Sequence, residues 1–307
     1  MLYLFSAVLC SAAIALILKF SESKNLNRMI VTNSNYVVAT ATSLFFVFKD
    51  KLLFKEKPDF HLFVSELDIV VKGGTFSESS NLLWAVSTGF FAGILYFLGL
   101  IYMQKSIKEN GVGITGAFSK IGIFIPMVLS IIFWKEIPDT AQWLGIILAI
   151  SAIMIASYTP GMKDSAFKLR KSLLIVFTVV GLSEFSTKFF QNYAYIEYKS
   201  LFLAAVFSTA FFISFIEVIR GKNKFTKEAV ITGILVGIPN MFTSFFLISS
   251  FKYLKTTIAF PAFSAGTIVF INIGGYFIFG EKIKRKDFLS IVLTIVAVIL
   301  MSGFSKV

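Results

Sequence analysis

Cysteine and histidine occur once each in this chain, as Cys10 and His61, and charged residues make up only 15% of its 307 positions. A lone thiol excludes a disulfide framework and any thiolate metal cluster. His61 stands in a polar connection, so a histidine-rich metal site is excluded as well, and no metal or other cofactor is expected. No serine stands beside a histidine, and Glu184 is the only acid deep within an apolar segment, so the nucleophile–base pair of a membrane-embedded enzyme is missing. A phosphate-cradling glycine-rich loop of the G-x-x-x-x-G-K type is also absent, which removes ATP hydrolysis by the chain itself.

Apolar residues, by contrast, are abundant: 56% of the chain is hydrophobic, mean hydropathy is +0.81, and there are 37 phenylalanines. One soluble core could not hide that much apolar surface. The net charge of +12 would suit nucleic acid, but the basic residues are scattered between apolar segments, as in loops near lipid headgroups. The partners implied are the lipid bilayer and a small-molecule substrate, not nucleic acid. Monomer and homodimer both stay open.

A spanning helix needs about 20 mostly apolar residues. Ten segments meet this: 2–18, 29–48, 81–104, 112–134, 140–158, 171–191, 200–219, 228–251, 257–279 and 287–304. The first has no basic leader and no small-residue cleavage site, and it reads as a retained span.

The region from Gly116 to Ser157 recurs 145 residues later without a gap. Ala117-Phe118-Ser119 returns as Ala262-Phe263-Ser264, Glu136 as Glu281, and Leu144, Ala152 and Ser157 as Leu289, Ala297 and Ser302. Lys19-Phe20 is echoed by Lys188-Phe189, at a larger offset that the longer loop 49–80 accounts for. The chain is thus a duplicated membrane unit. Residues 1–158 form the first five-span repeat, 159–170 the linker with Pro160-Gly161, and 171–307 the second five-span repeat. Five spans per copy is odd, so the second copy enters from the opposite side. The expected fold is an all-α membrane protein of ten transmembrane helices, arranged as two inverted five-helix repeats around a central cavity. Inverted repeats are a physical basis for alternating access. Gly116 matches Pro261, which predicts a weakened backbone just before Ala-Phe-Ser in both copies. Glu136 and Glu281 are expected to cap or brace the hairpin turns.

An ionisable group inside a span costs about 2.5–3.5 kcal/mol on insertion scales. Lys120, Glu184 and Lys188 are the ones that need an explanation. Glu184 and Lys188 share a face at i, i+4. They are either a self-neutralising pair that sets packing, or a coupling carboxylate with its partner, the coupling ion being a proton or another ion. The repeat partner of Lys120 is Ala265, so the shared fold does not require a lysine there. It faces substrate, answers Glu184 as counter-ion, or snorkels. If all three are ionised a positive excess remains, which favours an anionic or zwitterionic substrate. Asn240 and Ser244 with Gly237 in span 8, Asn33 and Tyr36 in span 2, and the repeat mates Ser119 and Ser264 are further substrate-binding candidates. Each could equally serve as helix–helix glue.

The run Ala259-Phe260-Pro261-Ala262-Phe263-Ser264-Ala265-Gly266, followed by Phe279-Gly280-Glu281-Lys282-Ile283, resembles the drug/metabolite transporter superfamily in its ten-span EamA-like branch. Leu18-Lys19-Phe20-Ser21-Glu22 is similar to the end of the first helix in the small multidrug resistance proteins. The resemblance covers essentially the whole chain, and it implies a permease in the bacterial plasma (inner) membrane with both termini in the cytoplasm. The connections after odd-numbered spans carry the larger share of Lys and Arg, which favours the opposite orientation. The small multidrug proteins place a coupling glutamate eight residues before their first-span lysine, where this chain has Ser11. Secondary transport of a small organic solute is therefore the expected function. A multidrug or cation exporter, and a channel or non-transporting scaffold, are the alternatives.

Overall fold

A computed structural model describes residues 1–55, 57–110, 112–157, 171–221, 225–280 and 285–302. The linker 159–170 and Glu281 lie outside these residues. Among the described residues there is no β-strand, and the elements are helical. In order they are α1 (Leu2–Ser23), α2 (Arg28–Lys49), α3 (Leu52–Lys55), α4 (Phe60–Val71), α5 (Glu78–Asn110), α6 (Val112–Ile121) and α7 (Phe124–Trp134). Then come α8 (Thr140–Ser157), α9 (Lys171–Tyr193), a 3-10 turn at Ile196–Tyr198, α10 (Lys199–Arg220), α11 (Lys227–Ser250), α12 (Thr256–Phe279) and α13 (Arg285–Ser302).

Among the described residues, seven helical segments are long and apolar enough to cross a membrane: Leu2–Ser23, Arg28–Lys49, Glu78–Met103, Lys171–Tyr193, Ile196–Arg220, Lys227–Ser250 and Thr256–Phe279. Phe118–Trp134 and Thr140–Ile155 are shorter apolar stretches. The segment 49–80, expected to be a loop, instead contains α3 and α4. Asp59 starts α4 by accepting a hydrogen bond from the Leu62 amide at 3.1 Å, as an N-cap does.

Two compact units make up the fold. One contains Met1–Ala12, Leu98–Phe185 and Tyr253–Val307, the other Ala13–Phe97 and Ser186–Lys252. Each therefore draws on both halves of the sequence.

In the second of these units, α2 packs on α10 and α11. The Asn33 amide near the start of α2 donates to the Ser214 hydroxyl near the end of α10 at 3.0 Å, while Tyr36 lies against Phe207. The two helices thus run antiparallel. Their buried faces match at a shift of 171: Ile30, Val31, Tyr36, Ala39, Ser43 and Val47 on α2 correspond to Leu201, Phe202, Phe207, Ala210, Ser214 and Val218 on α10.

Glycine sets the closeness of two further crossings. A Cβ on Gly233 of α11 would collide with the Val31 carbonyl and with Ser34, and one on Gly237 would lie 2.7 Å from the Asn35 carbonyl and 2.6 Å from Val38. On α5, a Cβ on Gly89 would lie 2.7 Å from the Phe202 carbonyl and 2.6 Å from Ala205, and one on Gly93 would meet Val206 and Thr209. The residues met on α2 (31, 34, 35 and 38) and on α10 (202, 205, 206 and 209) again differ by 171. Small residues four apart let helix backbones touch where lipid supplies no hydrophobic drive between helices.

In the other unit α8 packs on α13, and α12 packs on α7, α8 and α13. Here the shift is 145. Helix α7 ends in a left-handed cap at Lys135 (φ 52°) and α12 ends in one at Gly280 (φ 64°), and α8 and α13 match residue for residue in their bounds. Glu136, after that first cap, accepts the Thr256 amide at 2.6 Å and so braces the start of α12. The N-cap residue of α12, Lys255, offers no side-chain bond of its own.

The expected weak points at Gly116 and Pro261 are not where a helix breaks: Gly116 lies within α6, and Pro261 lies within the uninterrupted α12. The break falls at Gly122 and Ile123, between α6 and α7, and only in the first copy. Pro126 is the cause, since it has no N–H to give to the Gly122 carbonyl. That carbonyl accepts from Ile125 at 3.0 Å instead, a tighter 3-10 bond. At the matching positions α12 has Thr267 and Ile271, and it continues.

Because Gly89 and Gly233 fill equivalent close contacts, Gly89→Val and Gly233→Val are expected to destabilise by similar amounts, on the order of 1–3 kcal/mol from overpacking. Thermal unfolding in detergent measures this. Gly99→Ala, whose added Cβ would meet its nearest neighbour at an ordinary 3.7 Å, is expected to be close to neutral.

Candidate functional site

The candidate residues fall into two groups, one in each compact unit. Lys120, Ser119, Glu184 and Ser264 belong to the unit that contains the broken helix. Asn33, Tyr36, Asn240, Ser244 and Lys188 belong to the other.

The first group forms around a crossing of backbones. A Cβ on Gly181 of α9 would lie 2.5 Å from the Gly122 carbonyl and 2.7 Å from Ile125, so α9 presses directly on the break between α6 and α7. Lys120 occupies the last turn of α6, two residues before Gly122, where a cation meets the negative end of a helix. Glu184 lies one turn beyond Gly181, on the same face of α9. Lys120 and Glu184 are close enough for their charges to act on each other, and both are half-buried. The geometry thus gives Glu184 a cross-helix partner in addition to the i, i+4 neighbour expected from the sequence. Ile123, the N-cap residue of α7, makes no side-chain cap. The amides of Ile123 and Ile125 donate to the Lys120 and Gly122 carbonyls at 3.4 and 3.0 Å, so the cationic group at the break is the Lys120 side chain. Ser119 precedes Lys120 and is half-buried, while Ser264 on α12 is buried.

In the second group, Asn240 of α11 donates its side-chain amide to the side-chain oxygen (Oδ1) of Asn35 on α2 at 3.0 Å. Asn33 is bonded to Ser214 as described above, a partner the sequence reading missed. The repeat supplies the signal for it, since Ser214 is the mate of Ser43 at the shift of 171. Tyr36 and Ser244 are buried. Thr40, one turn beyond Tyr36, has a buried hydroxyl without a hydrogen-bond partner. Lys188 is buried, donates to the Gln191 side chain at 3.2 Å, and rests 5.8 Å from the centre of the Phe251 ring.

Several further buried polar atoms have no hydrogen-bond partner, the hydroxyls of Ser200, Thr257 and Ser290 among them. The Ser130 hydroxyl on α7 and the Asn272 side-chain nitrogen on α12 lack hydrogen-bond partners, and these helices pack on each other. Neither residue is charged, so charge alone could not flag them.

Two cavities among the described residues contain none of the candidates. One, of 380 Å³, lies among apolar side chains of α1, α12 and α13, including Leu4, Val8, Ala262 and Val298. The other, of 340 Å³, lies between α4 and α5. Among the described residues, no three His, Cys, Asp or Glu side chains gather in a way that could hold a metal ion.

No protein-family model matches the chain. An uncharacterized protein of Haemophilus influenzae is 24% identical over 308 residues, covering 99% of this chain and 98% of the relative. A crystal structure of another protein superposes with a TM-score of 0.67 at 12% identity, covering 98% of this chain and 96% of that one. At such identity the likeness is one of fold.

If Lys120 and Glu184 interact as their placement requires, Lys120→Met and Glu184→Gln are expected to be non-additive. The double variant should be less destabilised than the sum of the singles, with a coupling of about 0.5–3 kcal/mol. Chemical unfolding of the four proteins in detergent measures it, and strict additivity would remove the pair from the site.

Proposed function

We propose that the chain is a secondary transporter that carries a small organic solute across a membrane by alternating access. In this reading its ten spans form two inverted repeats, as the resemblance to the EamA-like branch of the drug/metabolite transporter superfamily implies, and the membrane is the bacterial inner membrane. The observation that carries the reading is the paired glycine crossing. First-copy α2 meets second-copy α11 through the same positions by which second-copy α10 meets first-copy α5. Such an exchange is what an inverted duplication produces. It provides two arrangements of similar energy, which a carrier needs in order to open to either side. The antiparallel packing of the mates α2 and α10 supports the same view.

Within that reading the substrate contact is Lys120 at the helix break, with Glu184 as its counter-charge or as a coupling carboxylate. An anionic or zwitterionic solute suits this site better than a lipophilic cation, because the lysine attracts negative charge. Ser11, at the position where the small multidrug proteins keep a glutamate, gives a cation no equivalent partner.

Reconstituted protein is expected to show saturable uptake and counterflow in liposomes, which separates a carrier from a channel or a scaffold. Lys120→Ala should weaken binding of an anionic ligand by at least about tenfold, equal to 1.4 kcal/mol, while Lys120→Arg keeps part of it. A thermal-shift screen across carboxylates, phosphorylated metabolites, zwitterions and quaternary ammonium compounds supplies the ligand. Tight binding of a quaternary ammonium that ignores Lys120→Ala would favour the multidrug exporter instead.

A further inference from the structure

Helix α4 is an element that the repeated packing does not require. The connection from α2 to α5 contains it, whereas the corresponding connection from α10 to α11 runs only from Gly221 to Thr226. Its inward face is well anchored. Phe63 stacks on Phe76 with ring centres 5.2 Å apart, and Phe76 lies against Trp84 at 4.9 Å. Glu66 accepts both the amide and the hydroxyl of Ser77, at 3.0 and 3.1 Å, and Val70 is buried. These bonds fix the rotation of the helix about its own axis.

That rotation leaves an apolar stripe uncovered. Phe60, Val64 and Leu67, at i, i+4 and i+7, are 68%, 49% and 38% exposed. Beside the stripe lies a polar arc of His61, Ser65 and Asp68, all exposed, with Asp68 paired to Lys72 at 2.5 Å. Leu62 and Ile69 are also exposed, on the far side of that arc. The stripe does not end at α4. The 340 Å³ groove joins Phe60 and Phe63 to Val86, Phe90 and Phe91 of α5. Those three α5 side chains are exposed, and they belong to Glu78–Met103, a segment long and apolar enough to cross a membrane. An exposed apolar face of such a segment meets acyl chains. The stripe on α4 continues the same surface, with its polar arc turned away from it.

We propose that α4 is an interfacial helix that docks on the lipid surface, with Phe60, Val64 and Leu67 immersed at the boundary between headgroups and acyl chains and the groove against α5 occupied by lipid. An amphipathic helix with one apolar and one polar face takes up this position because burying the stripe removes apolar area from water while the polar arc stays hydrated. The anchoring through Phe63 and Glu66 holds the helix ready at that level, so no ordering is required on contact with lipid.

The test uses the full-length chain in liposomes of phosphatidylcholine and phosphatidylglycerol. Because Cys10 is the single cysteine, Cys10→Ser provides a clean background for a nitroxide attached at Val64→Cys, Leu67→Cys, Asp68→Cys or Phe91→Cys. The ratio of collision with oxygen to collision with a water-soluble nickel chelate reports immersion. The labels at positions 64 and 67 are expected to exceed that at 68 by at least about threefold and to approach the label at 91. Ratios at 64 and 67 equal to that at 68 would overturn the proposal and leave α4 in water. Shielding of 64 and 67 from both reagents would also overturn it, and would assign the stripe to a protein partner or a second copy. The two stripe positions give independent readings, so failure of one variant to fold does not remove the test.

Discussion

Close approach of helix backbones is the constraint on which this structure depends. In lipid, apolar side chains gain little by meeting each other, so association rests on packing and on polar links between helices. Gly89 and Gly93 on α5, and Gly233 and Gly237 on α11, remove the side chains that would hold those helices away from α10 and α2. Once the backbones touch, the rest of the interface is determined: the same four-residue step brings 31, 34, 35 and 38, or 202, 205, 206 and 209, into register. The Asn33–Ser214 and Asn35–Asn240 bonds then form between helices already at contact distance. Each amide is satisfied inside an apolar setting, where an unmet partner is costly.

Against that repeated frame, several polar residues are conspicuous for occurring in one copy only. Lys120 matches Ala265, Asn33 matches Ala204, and Asn35 matches Val206. The break between α6 and α7 follows the same rule, because Pro126 has Ile271 as its mate and Gly122 has Thr267, whose hydroxyl bonds back to Phe263 at 2.7 Å. Packing alone would be served by the apolar member of each pair. A buried lysine and a broken helix both cost stability, and the duplicated partner shows that the fold does without them.

How much of this was legible in the sequence varied with the range of the interaction. The repeat in 116–157 was readable because it is gapless, and the apolar segments were readable because length and hydropathy are local. The glycine pairs were equally present, as Thr88-Gly89 to Gly93-Ile94 and Thr232-Gly233 to Gly237-Ile238. They are separated by 144 rather than 145 residues, so a strict register passes over them. The break falls six residues after Gly116 because a proline acts on the carbonyl four residues before it, and Pro126 lies outside the Ala-Phe-Ser signature. Helix α4 is hard to read from sequence because Lys49, Asp50, Lys51, Glu56, Lys57 and Asp59 crowd the residues before it. Its own amphipathic period is only about three turns long. The meeting of Lys120 with Glu184 was one of three readings, since no spacing rule links residues on helices that the chain brings together only by folding.

The placement of Gly181 shows why that last contact could not be separated from the fold. Glu184 reaches the neighbourhood of Lys120 because α9 lies directly on the Gly122 carbonyl, and α9 lies there because neither residue carries a Cβ. A larger side chain at position 181 would lift Glu184 away from the break and leave Lys120 with only the carbonyl end of α6 for compensation. The carboxylate, the lysine and the two glycines are therefore one arrangement. The glycines set the distance, the proline opens the helix at that level, and the charges act across the gap so defined.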